Sequence, residues 1–180
     1  MNRFLASVSA GFLGFSLVAN PASAGDSFGL DRIGFRAGPD SDDGVTITGY
    51  EAYATAGTPW SWDIAGNTRL SVEFEGAIGG LSGEDDTSAY ARVAPQLRLG
   101  FDSFPVSGVL GPGVTILSEE KFGDELDLGG HFEFFTSVGL DWRLSEDWTI
   151  GYRFLHISNG NLHETNPSLN LQTLGFDYSF

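Results

Sequence analysis

The chain has 180 residues, no cysteine and a formal net charge of −15. That balance excludes non-specific nucleic-acid binding, which needs a basic face, and excludes a fold stapled by disulfides. The length accommodates one domain.

Residues 1–24 read as a secretory signal peptide. Arg3 supplies the positive n-region, Phe4 to Val18 the apolar core, and Ala22-Ser23-Ala24 the small-x-small cleavage site. The apolar core is too short for a spanning helix, which needs about 20 residues. Losing Arg3 with this leader takes the net charge from −15 to −16. The remainder, 25–180, reads as a single barrel domain. It is rich in glycine and aromatic residues and holds no apolar run long enough for a spanning helix.

The predicted strands follow in order. Leu30 to Gly38 alternates Ile33, Phe35 and Ala37 with Arg32, Gly34 and Arg36, and the acidic turn PDSDDG ends it. Val45 to Ala54 is β-prone. Thr58 to Asn67 reads as a turn region carrying Trp60 and Trp62 as interfacial anchors. Thr68 to Gly79 places Leu70, Val72, Phe74 and Ile78 opposite Arg69, Ser71, Glu73 and Glu75. Ala89 to Phe101 alternates Val93, Pro95, Leu97 and Leu99 with Arg92, Ala94, Gln96 and Arg98; Pro95 predicts weak pairing there. Val106 to Leu117 is glycine-broken, and Ser118 to Gly130 reads as a long acidic loop. His131 to Leu144, Trp148 to Ser158 and Leu169 to Phe180 complete eight strands.

Three regularities make this an all-β, eight-stranded antiparallel transmembrane β-barrel. All seven arginines after the leader lie opposite the apolar stripe of their strand, as a lumen permits and lipid does not. Short turns alternate with longer loops that hold 12 of the 24 acidic residues and only Lys121 as a base. The chain closes on Leu174, Phe176, Tyr178 and Phe180, an ending that resembles the signature read by the outer-membrane assembly machinery. A soluble sandwich or lipocalin-like barrel with its apolar face inward is the competing architecture. Eight strands leave a lumen filled by side chains and no porin channel.

An even strand number puts both termini on the periplasmic side, so Trp148 to Ser158 rises to the outer rim and Leu169 descends from it. His156 and Ser158 share parity with Ile150, Tyr152 and Phe154, and Asn170 shares parity with Phe176 and Tyr178. The three therefore meet on one outward patch near the lipid headgroups. Ester hydrolysis needs a nucleophile, a base and an oxyanion site. Ser158 supplies the hydroxyl and His156 the base. Asn159, Gly160 and Asn161 are the oxyanion candidates, and Asn166 braces them. His163-Glu164 lacks the second histidine of a zinc motif, and Pro167 breaks any helix there.

The stretch RFLHISNGNLHETNPSLN, Arg153 to Asn170, resembles the C-terminal signature of the lipid A 3-O-deacylase (PagL) family, matching at His156, Ser158, Asn159 and Asn166. The resemblance implies an outer-membrane esterase that removes the ester-linked acyl chain at position 3 of lipid A, with lipopolysaccharide in the outer leaflet as its partner and no cofactor. Divalent cations, Mg²⁺ or Ca²⁺, would bridge lipid A phosphates to the acidic loops. Best-known members carry glutamate where this chain has Asn170. Either Asn170 orients the imidazole or Glu164 supplies the missing charge. Two other functions stay open: a structural or adhesive barrel, and a lipid A acyltransferase. The sequence leaves the oligomeric state open, a homodimer among the options.

Overall fold

The computed structural model describes residues 28–41, 46–83, 86–123 and 126–180. The expected leader, 1–24, lies outside the described residues, as do parts of the first three acidic loops. Ten strands appear in chain order: β1 (Gly29–Pro39), β2 (Thr48–Ala65), β3 (Thr68–Ser82), β4 (Thr87–Phe101), β5 (Phe104–Leu117), β6 (Lys121–Phe122), β7 (Leu126–Asp127), β8 (Phe132–Arg143), β9 (Trp148–Ser158) and β10 (Leu169–Ser179). Eight of them form a closed antiparallel barrel in the order β1-β10-β9-β8-β5-β4-β3-β2. Closure removes the free edges that would expose unpaired backbone groups to lipid. Among the described residues no helix is long and apolar enough to cross a membrane; this architecture crosses with strands.

Two sequence expectations change. The turn region expected over Thr58 to Asn67 is strand: β2 continues to Ala65 and the turn is only Gly66-Asn67. An irregularity between Gly57 and Ser61 absorbs the Gly-Thr-Pro sequence. Thr58 Oγ1 donates to the Val72 carbonyl at 2.7 Å and accepts the Trp60 N–H at 3.2 Å, so the bulge keeps its backbone satisfied. The acidic loop over Ser118 to Gly130 contains the small β6–β7 hairpin.

The alternation predicted from sequence sorts the two faces. Ile78, Val93, Leu140, Leu174 and Phe176 are exposed on the outside. Inside, Arg36 and Arg92 are buried between Glu51 and Glu75, and Arg32, Arg98 and Arg153 converge on Glu73 and Asp141. Burying such charges is costly unless each is paired and hydrogen-bonded. Here each guanidinium shares two carboxylates or takes one in bidentate fashion, as Arg153 takes Asp141. Arg69 and Arg143 are exposed, and Arg69 pairs with Asp63 at 3.1 Å.

The upper lumen is different. Ile47, Leu81, Leu117, Phe135, Leu155, Ile157, Leu169 and Leu171 pack into one apolar cluster, which Phe122 and Leu128 of the β6–β7 segment close from above. The lumen is thus ionic at mid-height and mainly apolar at the loop end, where Glu133 is also buried. Pro95 pairs with β3, but the β4–β5 ladder is interrupted between Val93↔Val114 and Leu97↔Leu110. The register sets Pro95 opposite Pro112, two residues without an N–H, which is why pairing lapses there.

Candidate active site

The short turns and both ends of the described barrel lie at one end, and the long connections lie at the other. β9 rises to the long-loop end and finishes at Ser158; β10 starts back down at Leu169. Leu155 and Ile157 are buried in the lumen, so His156 between them projects outward and is exposed, and Ser158 follows on the same face, half-buried.

The register pairs Asn170 directly with His156. The Asn170 N–H donates to Asp40 Oδ1 at 2.8 Å, and its carbonyl accepts from the Ser41 hydroxyl at 3.0 Å and N–H at 2.9 Å. Both backbone groups therefore turn toward β1 and away from β9. That makes Asn170/His156 a non-hydrogen-bonded cross-strand pair, the type in which Cα atoms approach to about 4.5 Å and side chains lie closest. His156 Nδ1 lies 2.7 Å from Asn170 Oδ1. An amide oxygen only accepts, so Nδ1 carries a proton, and in the neutral ring Nε2 keeps its lone pair. The amide nitrogen of Asn170 points the other way, to Ser168 Oγ at 3.3 Å.

Ser158 sits beside Phe134 of β8 in the register. Among the described residues no hydrogen bond joins Ser158 Oγ to His156. The two are neighbours along one strand face, one pleat apart, about 7 Å between Cα atoms.

The loop after β9 is built by its asparagines. The fully buried Asn159 donates its amide to the Leu128 carbonyl at 2.8 Å and to the Thr165 carbonyl at 2.6 Å. Its N–H donates to Asn166 Oδ1 at 3.1 Å, and Asn166 in turn donates to Asn161 Oδ1 at 3.1 Å. Asn159 and Asn166 are thus occupied as braces. Gly160 and Asn161 both take left-handed backbone, at φ 63° and 65°, which glycine accepts freely and asparagine better than most. Among the described residues their N–H groups have no partner within the protein. A Cβ at Gly160 would come within 3.1 Å of the Phe134 ring, so glycine also permits this close approach.

The remaining candidates fall elsewhere. Glu164 is exposed in the loop and has no bond to His156 among the described residues. His163 Nε2 lies where a Cβ on Gly130 would sit, and His131 Nδ1 lies 3.1 Å from the Leu117 carbonyl. Among the described residues no group of three or more His, Cys, Asp or Glu could hold a metal ion. Sequence reasoning missed Asp40 and Ser41, which clamp the Asn170 backbone from some 130 residues away. It also missed Leu128, whose carbonyl anchors Asn159. No local signal marks either contact.

A family model described as lipid A 3-O-deacylase (PagL) matches residues 48–179. The chain is 36% identical over 70 residues to the lipid A deacylase PagL of Bordetella bronchiseptica, a match that covers 39% of this chain and 39% of that relative. In structure it is similar to the outer membrane enzyme PagL as seen in its crystal structure, with a TM-score of 0.70 at 19% identity, covering 81% of this chain and 97% of that one. At that identity the likeness speaks for the fold.

Proposed function

Because this chain belongs to the lipid A 3-O-deacylase (PagL) family, we propose that it is an outer-membrane esterase that hydrolyses the 3-O-acyl ester of lipid A with Ser158 as nucleophile and His156 as base. The observation that carries this reading is the 2.7 Å contact between His156 Nδ1 and Asn170 Oδ1 on the lipid-facing surface. In the neutral ring this contact leaves Nε2 with its lone pair, on the same strand face as the Ser158 hydroxyl.

Ser158 Oγ attacks the ester carbonyl as its proton passes to His156 Nε2. The tetrahedral oxyanion accepts hydrogen bonds from the Gly160 and Asn161 N–H groups. The C–O bond to the sugar then breaks, and the sugar oxygen leaves with the proton from Nε2. A water attacks the acyl-serine, giving its proton to Nε2. Breakdown of the second tetrahedral species returns that proton to Ser158 and releases the fatty acid. Nucleophile and base close to hydrogen-bonding distance when substrate seats between them, since such contacts commonly tighten only in the substrate complex.

The chemistry draws on residues of this chain alone. The outward site suits a substrate that never leaves the bilayer: its acyl chains run along the barrel wall and its sugar lies level with the loops. The signal peptide over 1–24 and recognition of terminal Phe180 by the assembly machinery belong to the same proposal. Mass spectrometry of lipid A from cells expressing the protein tests it. Loss of one hydroxyacyl chain with the wild type, and not with Ser158→Ala, is the expected result. Identical spectra would return the protein to the class of structural or adhesive barrels, and a gained acyl chain would make it a transferase.

A further inference from the structure

One polar pair stands out of place on the apolar wall below the site. Tyr152 on β9 and Gln172 on β10 both project outward, and the tyrosine hydroxyl donates to Gln172 Oε1 at 3.1 Å. Their outward neighbours are Ile150, Phe154, Leu174 and Phe176. An uncharged amide facing hydrocarbon still loses its water hydrogen bonds, and only its oxygen is compensated by the tyrosine. Among the described residues the two Nε2 hydrogens of Gln172 have no protein partner. The tyrosine oxygen keeps its capacity to accept.

The pair also lies on the path the substrate must take. Gln172 is opposite Phe154, one pleat or about 7 Å below the Asn170/His156 pair, and Tyr152 is one pleat lower again, on the same two strands. An acyl chain whose ester carbonyl rests at Ser158 and His156 can enter the membrane only by running down this face. The primary acyl chains of lipid A carry a hydroxyl on the third carbon, which falls between the carbonyl and the depth of this pair. A hydroxyl is both donor and acceptor. It can accept from Gln172 Nε2 and donate to the tyrosine oxygen, which satisfies all three groups together.

We infer that Gln172, held by Tyr152, forms a subsite that reads the C3 hydroxyl of the acyl chain and selects 3-hydroxyacyl esters over unsubstituted ones. A site organised to hydrogen-bond a substrate hydroxyl discriminates against the analogue lacking it, because its own polar groups are then left unpaired. The inference rests on the hydrolase reading above.

The test uses the full mature barrel in detergent micelles and two synthetic glucosamine lipids, esterified at position 3 with a 3-hydroxyacyl or a plain acyl chain of equal length. The measured quantity is the ratio of kcat/KM for the two. The wild type is expected to favour the hydroxylated ester by about tenfold or more, the worth of one or two net hydrogen bonds. Gln172→Leu should bring the ratio close to one. Tyr152→Phe keeps the ring and the packing, and should reduce the ratio severalfold even if the leucine variant fails to fold. An unchanged ratio in either folded variant, or a wild-type ratio near one, overturns the inference while leaving the esterase intact. A wild type that cleaves neither lipid sinks the hydrolase reading, and this inference with it.

Discussion

Replacing Asn170 by alanine and by glutamate separates what the amide does from what it cannot do. Alanine removes the group that fixes Nδ1 as the protonated nitrogen, 2.7 Å away. The lost hydrogen bond amounts to about 1–1.5 kcal/mol. The freed ring then spreads over two tautomers and several rotamers, which costs roughly another 1–2 kcal/mol. The sum predicts a fall in kcat of about 30- to 300-fold, at 1.36 kcal/mol per factor of ten. Glutamate acts in the other direction. It places a full negative charge beside an imidazole that becomes cationic in the transition state. For charges about 4 Å apart the attraction is about 1 kcal/mol in water and about 4 kcal/mol at an effective dielectric of 20. This half-exposed rim sits toward the weaker limit, so Asn170→Glu should exceed the wild type by about three- to thirtyfold in kcat, with KM little changed. The assay is release of hydroxyacid from lipid A in micelles, followed by mass spectrometry over time. Asn170→Ala within twofold of the wild type would refute the orienting role. If Glu164→Gln instead lost activity as alanine at 170 was expected to, the charge would come from the loop.

Three further outcomes follow from the scaffold. Glu75→Gln leaves Arg36 and Arg92 short of a buried carboxylate and should lower barrel stability by about 3–5 kcal/mol; urea unfolding in lipid vesicles, read by loss of the fast-migrating folded band, measures it. Asn159→Ala unties the Leu128 and Thr165 carbonyls, about 1–3 kcal/mol in all, so proteolysis within 160–168 should accelerate and activity should fall while the barrel resists protease. Lys121 donates to the half-buried Asp127 carboxylate, whose second stabilising contact is the Gly129 N–H, and together they hold its pKa below the ordinary carboxylate range. The folded form therefore binds this proton less readily than the unfolded one. Its contribution is present in full above the unfolded pKa and is lost as pH falls through the lowered one. Protection factors in the β6–β7 segment, taken against intrinsic exchange at each pH, should fall on acidification toward pH 3 and stay level from pH 6 to pH 8.

How legible the site was depends on the separation of its parts. The parity of His156, Ser158 and Asn170 follows from the two-residue period of a strand, and the hairpin places the three together without any long-range knowledge. The same period sorted the arginines inward. Gly57-Thr58-Pro59 reads as a turn because each residue favours one locally, yet Thr58 satisfies the bulge from its own side chain and the strand runs on. Phe122 and Leu128 lie in an acidic segment with no period to reveal that they cap the lumen. Leu155 and Ile157 alternate with His156 and Ser158, and a strand apolar on both faces does not announce which face is dry. The clamp of Asp40 and Ser41 on Asn170 crosses nearly the whole chain and becomes visible only when the barrel closes.

That closure explains how groups on a bare lipid-facing wall can be positioned at all. A pocket fixes its catalytic side chains by surrounding them, and here there is nothing outside but fluid acyl chain. The constraint has to come from behind. Along β9 every outward residue of the site alternates with an inward one that cannot move: Arg153 is locked to Asp141, and Leu155 and Ile157 are sealed in the apolar cluster at 1% and 3% exposure. Along β10, Leu169 and Leu171 flank Asn170 in the same way at 0% and 1%. The apolar cluster of the upper lumen therefore gives the site a close-packed backing. Close-packed side chains in one rotamer tolerate little displacement. The loop that offers the Gly160 and Asn161 N–H groups is tied to the same cluster, since Asn159 bonds the carbonyl of Leu128, itself a member. The proposed base, orienting amide and oxyanion donors thus share one support on the opposite face of the sheet, and the exposed site is held by the core it leaves at its back.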